Sequence, residues 1–282
     1  MIIAGAAIVA VVLLAFGLNT ARQAARLSVA PETPGERLEA LRAAWRLKQP
    51  AEAQPHGLAI LLSGCDGVAD NMDYWADLFV KRGHAALILD SHGPRGLDEL
   101  QAWRLVCAGQ ALSGAERAGD IAVAIDAFPD LAAEGVVLLG ASHGGWAAME
   151  FMGLLGSGAV PPGLTAWPAA PEALKHAVSA MVLLYPYCGV LNGAEADLWT
   201  GAPPSLFVLA EDDSIVSTPD CIERAEAYRR TGAEVETVVL ADADHGFDQR
   251  ERSILSTLVF DAAQTETARQ AVERFLDTVP PK

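Results

Sequence analysis

Six short apolar runs recur along the chain at intervals wide enough to hold a helix, and this alternation limits the possible folds more than any other feature. The runs are Gly57–Ser63, His84–Asp90, Val136–Ala141, Ala180–Tyr185, Ser205–Ala210 and Val235–Leu240. Each has the length and composition of a strand. Between them lie amphipathic stretches, roughly Asn71–Arg82, Gly114–Phe128, Gly144–Leu155 and Pro219–Arg230, with Thr265–Thr278 at the end. Strands that are apolar nearly throughout must be covered on both faces, so the pattern predicts an α/β fold, a mostly parallel central sheet with helices on both sides. With 51% of its 282 residues hydrophobic and 20% charged, the chain can fill the core of one large domain, which excludes a disordered chain.

Ahead of that pattern stands an uncharged apolar run, Ile2–Leu18, followed by Arg22 and Arg26. No clear cleavage site follows Leu18, and the run is at the short limit for crossing a hydrocarbon layer of ~30 Å. We read residues 1–30 as a targeting or anchor segment, either a signal or an uncleaved anchor; the competing reading is a buried core helix. The positive charges Arg22, Arg26, Arg37 and Arg42 favour a cytoplasmic domain, whereas cysteines able to pair favour an exported one, so orientation stays open. Ala30-Pro31-Glu32-Thr33-Pro34 breaks the chain before the main domain, residues 31–282. Thr33 and Glu36 fit a capping box, with Pro34 at the first helical position, and predict a helix running through Lys48. The Gly153–Pro171 stretch, rich in Gly, Pro and Ala, is the expected long loop or lid.

Val136–Ala141 runs directly into Gly140-Ala141-Ser142-His143-Gly144 and then a helix. Glycines two before and two after a serine permit a sharp strand-to-helix turn that lifts the hydroxyl above the sheet edge. A serine needs a base, and the base an orienting group. Ser205–Ala210 is followed by Glu211-Asp212-Asp213, and Val235–Leu240 by Ala241-Asp242-Ala243-Asp244-His245-Gly246. Ser142 is therefore the candidate nucleophile, His245 the base and Asp213 the acid, each just beyond a predicted parallel strand, where open sheets place their sites. Spacing alone does not separate Asp213 from Asp212. Two backbone N–H groups would hold the oxyanion: that of His143, after the nucleophile, and that of Cys65, in the loop Leu61–Gly67.

An excess of 36 acidic over 20 basic residues gives a net charge of −16 and leaves no basic stripe for nucleic acid. The four cysteines, 65, 107, 188 and 221, form no Cys-x-x-Cys pair, so a zinc ribbon or dithiol redox motif is excluded. No metal and no organic cofactor is expected.

From Gly57 onward the chain resembles the dienelactone hydrolase family of α/β-hydrolases, in particular its exported members. Beyond the elbow and the order Ser, Asp, His, the resemblance rests on Asp90-Ser91-His92-Gly93-Pro94-Arg95-Gly96, Arg117-x-x-Asp120, Tyr185-Pro186-Tyr187-Cys188 and His245-Gly246-Phe247. Ala210-x-x-Asp213-x-x-Val216 is similar to a further family pattern and gives Asp213 precedence over Asp212. The resemblance implies an α/β-hydrolase fold, with Leu61–Gly67 as the loop after the fold's third strand. It also implies a small-molecule ester or lactone as substrate. The family's namesake enzymes carry a cysteine at the elbow and a glutamate in that loop; here the elbow holds Ser142 and the loop has no glutamate, which favours general ester hydrolysis. Arg95 is the candidate for a substrate carboxylate, the alternative being that it braces its own loop through carbonyls or Asp120. Arg117 and Asp120, three apart on one helix, read as a structural ion pair. Cys188 and Cys221 follow strands expected to be neighbours, and Cys65 and Cys107 flank another such pair, so these are the preferred disulfides; four reduced thiols are the alternative. The leading reading is a Ser-His-Asp carboxylic ester hydrolase touching a membrane only through its N-terminal segment. The competing readings are a membrane-tethered binding protein on an inactive hydrolase fold and a small serine peptidase.

Overall fold

The computed structural model describes residues 2–25, 29–253 and 256–280. Helices α1 (Ile2–Ala24) and α2 (Pro34–Arg42) precede a short strand β1 (Arg46–Lys48), followed by β2 (Leu58–Leu62), α3 (Asp70–Lys81) and β3 (Ala85–Leu89). A helical segment made of α4 (Glu99–Gln101) and π-helical turns over Ala102–Val106 leads to α5 (Gly114–Asp126) and α6 (Pro129–Ala133). Next come β4 (Val136–Ala141), α7 (His143–Ser157), α8 (Pro171–Ala177) and β5 (Val178–Leu184). The chain ends with β6 (Ser205–Ala210), α9 (Thr218–Arg230), β7 (Val235–Leu240) and α10 (Ala262–Thr278).

The strands form one sheet in the order β1-β3-β2-β4-β5-β6-β7, in which only β1 runs antiparallel. Alternate residues of each strand face opposite layers. Ile60, Leu62 and Leu138 pack with residues of α5, α7 and α9, while Leu61, Leu139 and Val208 pack with Trp75 and Phe79 of α3 and Val272 and Phe275 of α10. This is the mostly parallel, doubly covered sheet that the alternation predicts. Its six parallel strands end on one edge, and Ser142, Asp213 and His245 all follow strand ends there.

The helix expected through Lys48 stops at Arg42. Its start is as read, since Thr33 and Glu36 close a capping box with Pro34 in the first turn. Beyond it, Arg46–Lys48 pairs antiparallel with Ala86–Ile88 of β3, covering backbone groups that an edge strand would leave open. Arg46 and Lys48 then reach Asp73 and Asp77 on α3. Helix α1 spans the apolar N-terminal run, and its last turns are held by Gln110, whose backbone carbonyl accepts from Asn19 (2.8 Å) and Gln23 (3.1 Å). Among the described residues no helix is long and apolar enough to cross a membrane. Arg26, one of the positive charges after the run, lies outside the described residues.

A buried carboxylate joins three segments. Asp120 of α5 accepts from Arg37 Nη1 of α2 (2.8 Å) and from Arg95 Nη1 and Nη2 in the loop after β3 (3.0 and 2.9 Å). Arg95 Nη1 also donates to Ser91 O (2.7 Å). Burial pushes the Asp120 carboxyl up, but the Arg95 charge and its hydrogen bonds, with Arg37, outweigh this and hold it below the ordinary aspartate range. The ion pair expected between Arg117 and Asp120 is not formed as a contact: Asp120 is taken by two other arginines, and Arg117 turns toward β2 and the start of α7.

Replacing Asp120 by Asn leaves two guanidinium groups around a neutral amide and should lower stability by about 3–5 kcal/mol in denaturant titrations at neutral pH. Because the folded-state pKa lies below the unfolded one, this stabilisation is complete above the ordinary aspartate range and is lost as pH falls through the lowered value. The stability gap between Asp120→Asn and the parent protein should therefore narrow in strong acid; a constant gap at all pH values would show that the charge is not its source.

Candidate active site

Ser142 sits between β4 and α7 with φ 51° and ψ −111°, a region non-glycine residues rarely enter. The turn is possible because its neighbours lack side chains: a Cβ on Gly144 would collide with the carbonyl of Leu62 in β2, and one on Gly140 with the backbone of Gly144. The hydroxyl is thereby presented at the sheet edge. His245 Nδ1 lies 2.7 Å from Asp213 Oδ2 and Nε2 lies 2.9 Å from Ser142 Oγ. With Nδ1–H donating to the carboxylate, Nε2 is left to accept from the serine hydroxyl.

Each member is held by a second set of contacts. Asp213 Oδ1 accepts from the backbone N–H of Ile215 (2.9 Å) and Val216 (2.8 Å), while Asp212 is exposed. The structure thus brings Asp213 to the histidine and leaves Asp212 in solvent. The Tyr185 ring meets the His245 ring edge-on at 4.8 Å, and its hydroxyl donates to buried Asp248, which also accepts from Trp75 Nε1 (2.6 Å). Burial raises the pKa of Asp248, against hydrogen bonds from Trp75 and Tyr185 that favour its charged form.

Cys65 and His143, the two candidate oxyanion donors, line the same cavity as Ser142 and His245. A Cβ on Gly64, next to Cys65, would lie 3.9 Å from Ser142 Cβ, so the loop passes beside Ser142. The cavity measures about 760 Å³, and Trp103, Val106, Trp146, Tyr187, Ile215 and Leu258 give it a largely apolar wall. Arg95 is not among its lining residues, a correction to the substrate-binding role expected for it: its guanidinium is consumed by Asp120 and Ser91 O. Arg104 is the arginine that lines the cavity.

Gly153–Pro171 is not the lid. Its first residues belong to α7, and its middle is tied to the segment before α2, with Glu32 N donating to Gly163 O and Thr165 N to Glu32 O, both at 2.9 Å. The cavity is lined instead by the segment after α4, from Trp103 to Gly109, and by 256–258. Two signals for the first of these were present in the sequence: Asp98 and Gln101, which form a capping box, and the Cys107 that follows Trp103. The cysteines are paired as Cys65–Cys107 and Cys188–Cys221. The first pair ties the segment after α4 to the Leu61–Gly67 loop. Among the described residues no group of three or more His, Cys, Asp or Glu could hold a metal ion.

Comparison with known proteins gives the same fold. The sequence profile of the dienelactone hydrolase family matches residues 163–280. A structure from Klebsiella pneumoniae, provisionally described as a dienelactone hydrolase, superposes with a TM-score of 0.64 at 15% identity, covering 83% of this chain and 92% of its own. Esterase 2 of Thermogutta terrifontis in its apo form superposes with a TM-score of 0.57 at 18% identity, covering 84% of this chain and 91% of its own. The same esterase phosphorylated by paraoxon gives 0.58 at 17% identity, over 84% and 90%. No curated protein matches in sequence.

With separations of 42 and 33 residues, each disulfide should add on the order of 4 kcal/mol by restricting the unfolded chain. Unfolded without reductant, the protein should take up no iodoacetamide, and after reduction four equivalents. Uptake before reduction would show that a bridge is open.

Proposed function

We propose that this chain, whose residues 163–280 match the dienelactone hydrolase family profile and whose fold is similar to that of such proteins, is a carboxylic ester hydrolase working through Ser142, His245 and Asp213 and an acyl-enzyme. The observation that carries this reading is the continuous contact from Asp213 Oδ2 through His245 to Ser142 Oγ, at 2.7 and 2.9 Å, in the wall of a cavity large enough for a substrate. Ser142 Oγ attacks the ester carbonyl while its proton passes to His245 Nε2. The oxyanion accepts from the N–H groups of Cys65 and His143. His245 returns the proton to the departing alcohol, then removes one from a water that attacks the acyl-enzyme, and finally protonates Ser142 Oγ as the acid leaves. Asp213 fixes the imidazole tautomer and stabilises its charged form.

The cavity volume and apolar wall favour esters or lactones with a bulky apolar part over acetyl esters. Two closed disulfides fit an oxidising compartment, so we also propose that the domain is exported or tethered outside the cytoplasm by its N-terminal segment. Protein recovered from its native host with four free thiols would count against export.

A fluorophosphonate probe should label Ser142, and Ser142→Ala should lower kcat on p-nitrophenyl butyrate by about 10⁶-fold, roughly 8 kcal/mol of barrier. Asp213→Asn should lower kcat by on the order of 10⁴-fold. Asp212→Asn should change it less than about twofold, in line with ordinary surface substitutions. Full activity in folded Ser142→Ala would remove the mechanism, and an inert, unlabelled parent protein would favour a binding role.

A further inference from the structure

The proposed oxyanion hole has two halves on different strands: Cys65 follows β2, and His143 follows β4. One buried side chain touches the segment leading into the first and the ring of the second. Arg117 of α5 is fully buried, and its Nη1 donates to Ser63 O (2.8 Å), two residues before Cys65, and to His143 Nδ1 (3.0 Å). Resting on the ester-hydrolase reading, we propose that Arg117 is a positioning residue that fixes the distance between the two oxyanion donors and supplies positive potential beneath them.

Three observations carry this. First, Arg117 has no carboxylate of its own: Asp120, one turn away, is occupied by Arg37 and Arg95, and Arg117 Nε and Nη2 have no hydrogen-bond partner among the described residues. A guanidinium buried this way is unfavourable unless negative charge develops near it, and in this site negative charge develops on the oxyanion. Burial, opposed by the Asp120 charge, brings its pKa down to about 10, so it stays charged at neutral pH. Second, a guanidinium only donates, so His143 Nδ1 must accept and its ring is neutral with the proton on Nε2. Burial and then the Arg117 charge push the His143 pKa well below its ordinary value. The ring is further fixed edge-on against Trp146 at 4.8 Å. Third, the elbow has no slack against β2, since Gly144 rests on the Leu62 carbonyl. A shift of Ser63 or His143 would be passed to the donors.

The test replaces Arg117 by Met, which keeps the stem, and by Lys, which keeps the charge without the planar fork. Each is measured for kcat and KM on p-nitrophenyl butyrate and for inhibition by an alkyl trifluoromethyl ketone, which adds to Ser142 as a tetrahedral oxyanion. Arg117→Met should lower kcat by about 100-fold or more with KM within about threefold, and the ketone's Ki should rise by the factor by which kcat/KM falls. Arg117→Lys should fall between Met and the parent in both readouts. A folded variant with parent-like kcat and Ki, or one impaired only in KM, overturns the proposal; if Arg117→Met does not fold, Arg117→Lys decides on the same criteria. An inert parent protein whose Ser142 escapes fluorophosphonate overturns the esterase reading and this inference with it. A labelled, active parent with indifferent Arg117 variants overturns this inference alone.

Discussion

Ser142 is held in a backbone conformation that its own side chain opposes. A non-glycine residue at φ 51° and ψ −111° carries strain of about 1–3 kcal/mol, which persists only where the surroundings over-determine it. Here they do so from three directions. Ser142 N donates to Leu184 O of β5 (2.9 Å), and its carbonyl accepts from Trp146 N (3.1 Å) and Tyr187 N (3.2 Å). Gly140 and Gly144 let the turn close onto β2 where a side chain would keep it away. The hydroxyl, the His143 N–H and the start of α7 are set by this one turn, and the cavity is arranged around it.

Parallel pairing then assembles the rest. Since β4, β5, β6 and β7 run in one direction, the segments after β4, β6 and β7 meet at a single edge without long excursions. Asp213 is only three residues beyond β6 and His245 five beyond β7, short tethers that limit where each side chain reaches. The buried charges follow the same economy of position. Asp120 gathers Arg37 and Arg95 from segments distant in sequence, and Arg117, on the same helix, is left to face the elbow.

The sequence made the interior of the sheet legible because a strand covered on both faces has to be apolar at nearly every position, and Val136–Ala141 and Ser205–Ala210 have the boundaries read from their composition. The edge strand Val235–Leu240, half-exposed and carrying Glu236, was legible from its β-branched residues instead. β1 was not legible: Arg46-Leu47-Lys48 is too short and too charged to show a period, and it is a strand only because β3 has an open edge. The residues after strand ends could be named from motif order, and the structure brings Ser142, Asp213 and His245 together. The partner of Arg95 could not be settled, because it depends on where a carboxylate 25 residues away comes to lie. Arg117 was visible only as a helix neighbour of Asp120, and nothing in that spacing reveals two competing arginines from elsewhere.

The wall of the cavity shows the same limit from another side. The helical segment that carries Trp103, Arg104 and Val106 leaves no clear signature in the sequence, since π-helical turns have no apolar period to read. A covalent tie holds it to the Leu61–Gly67 loop, Cys107 at its end being bonded to Cys65, and Ala102, Val106 and Leu112 form a small buried cluster against which Cys65 and Leu97 pack. This part of the cavity wall and the loop beside Ser142 are therefore covalently joined. On the ester-hydrolase reading proposed above, a change of residue at Trp103 or Arg104 would alter the cavity wall while the strained elbow, its glycine contacts and the Arg117 bridge stay as they are, so recognition and chemistry would be separable by position.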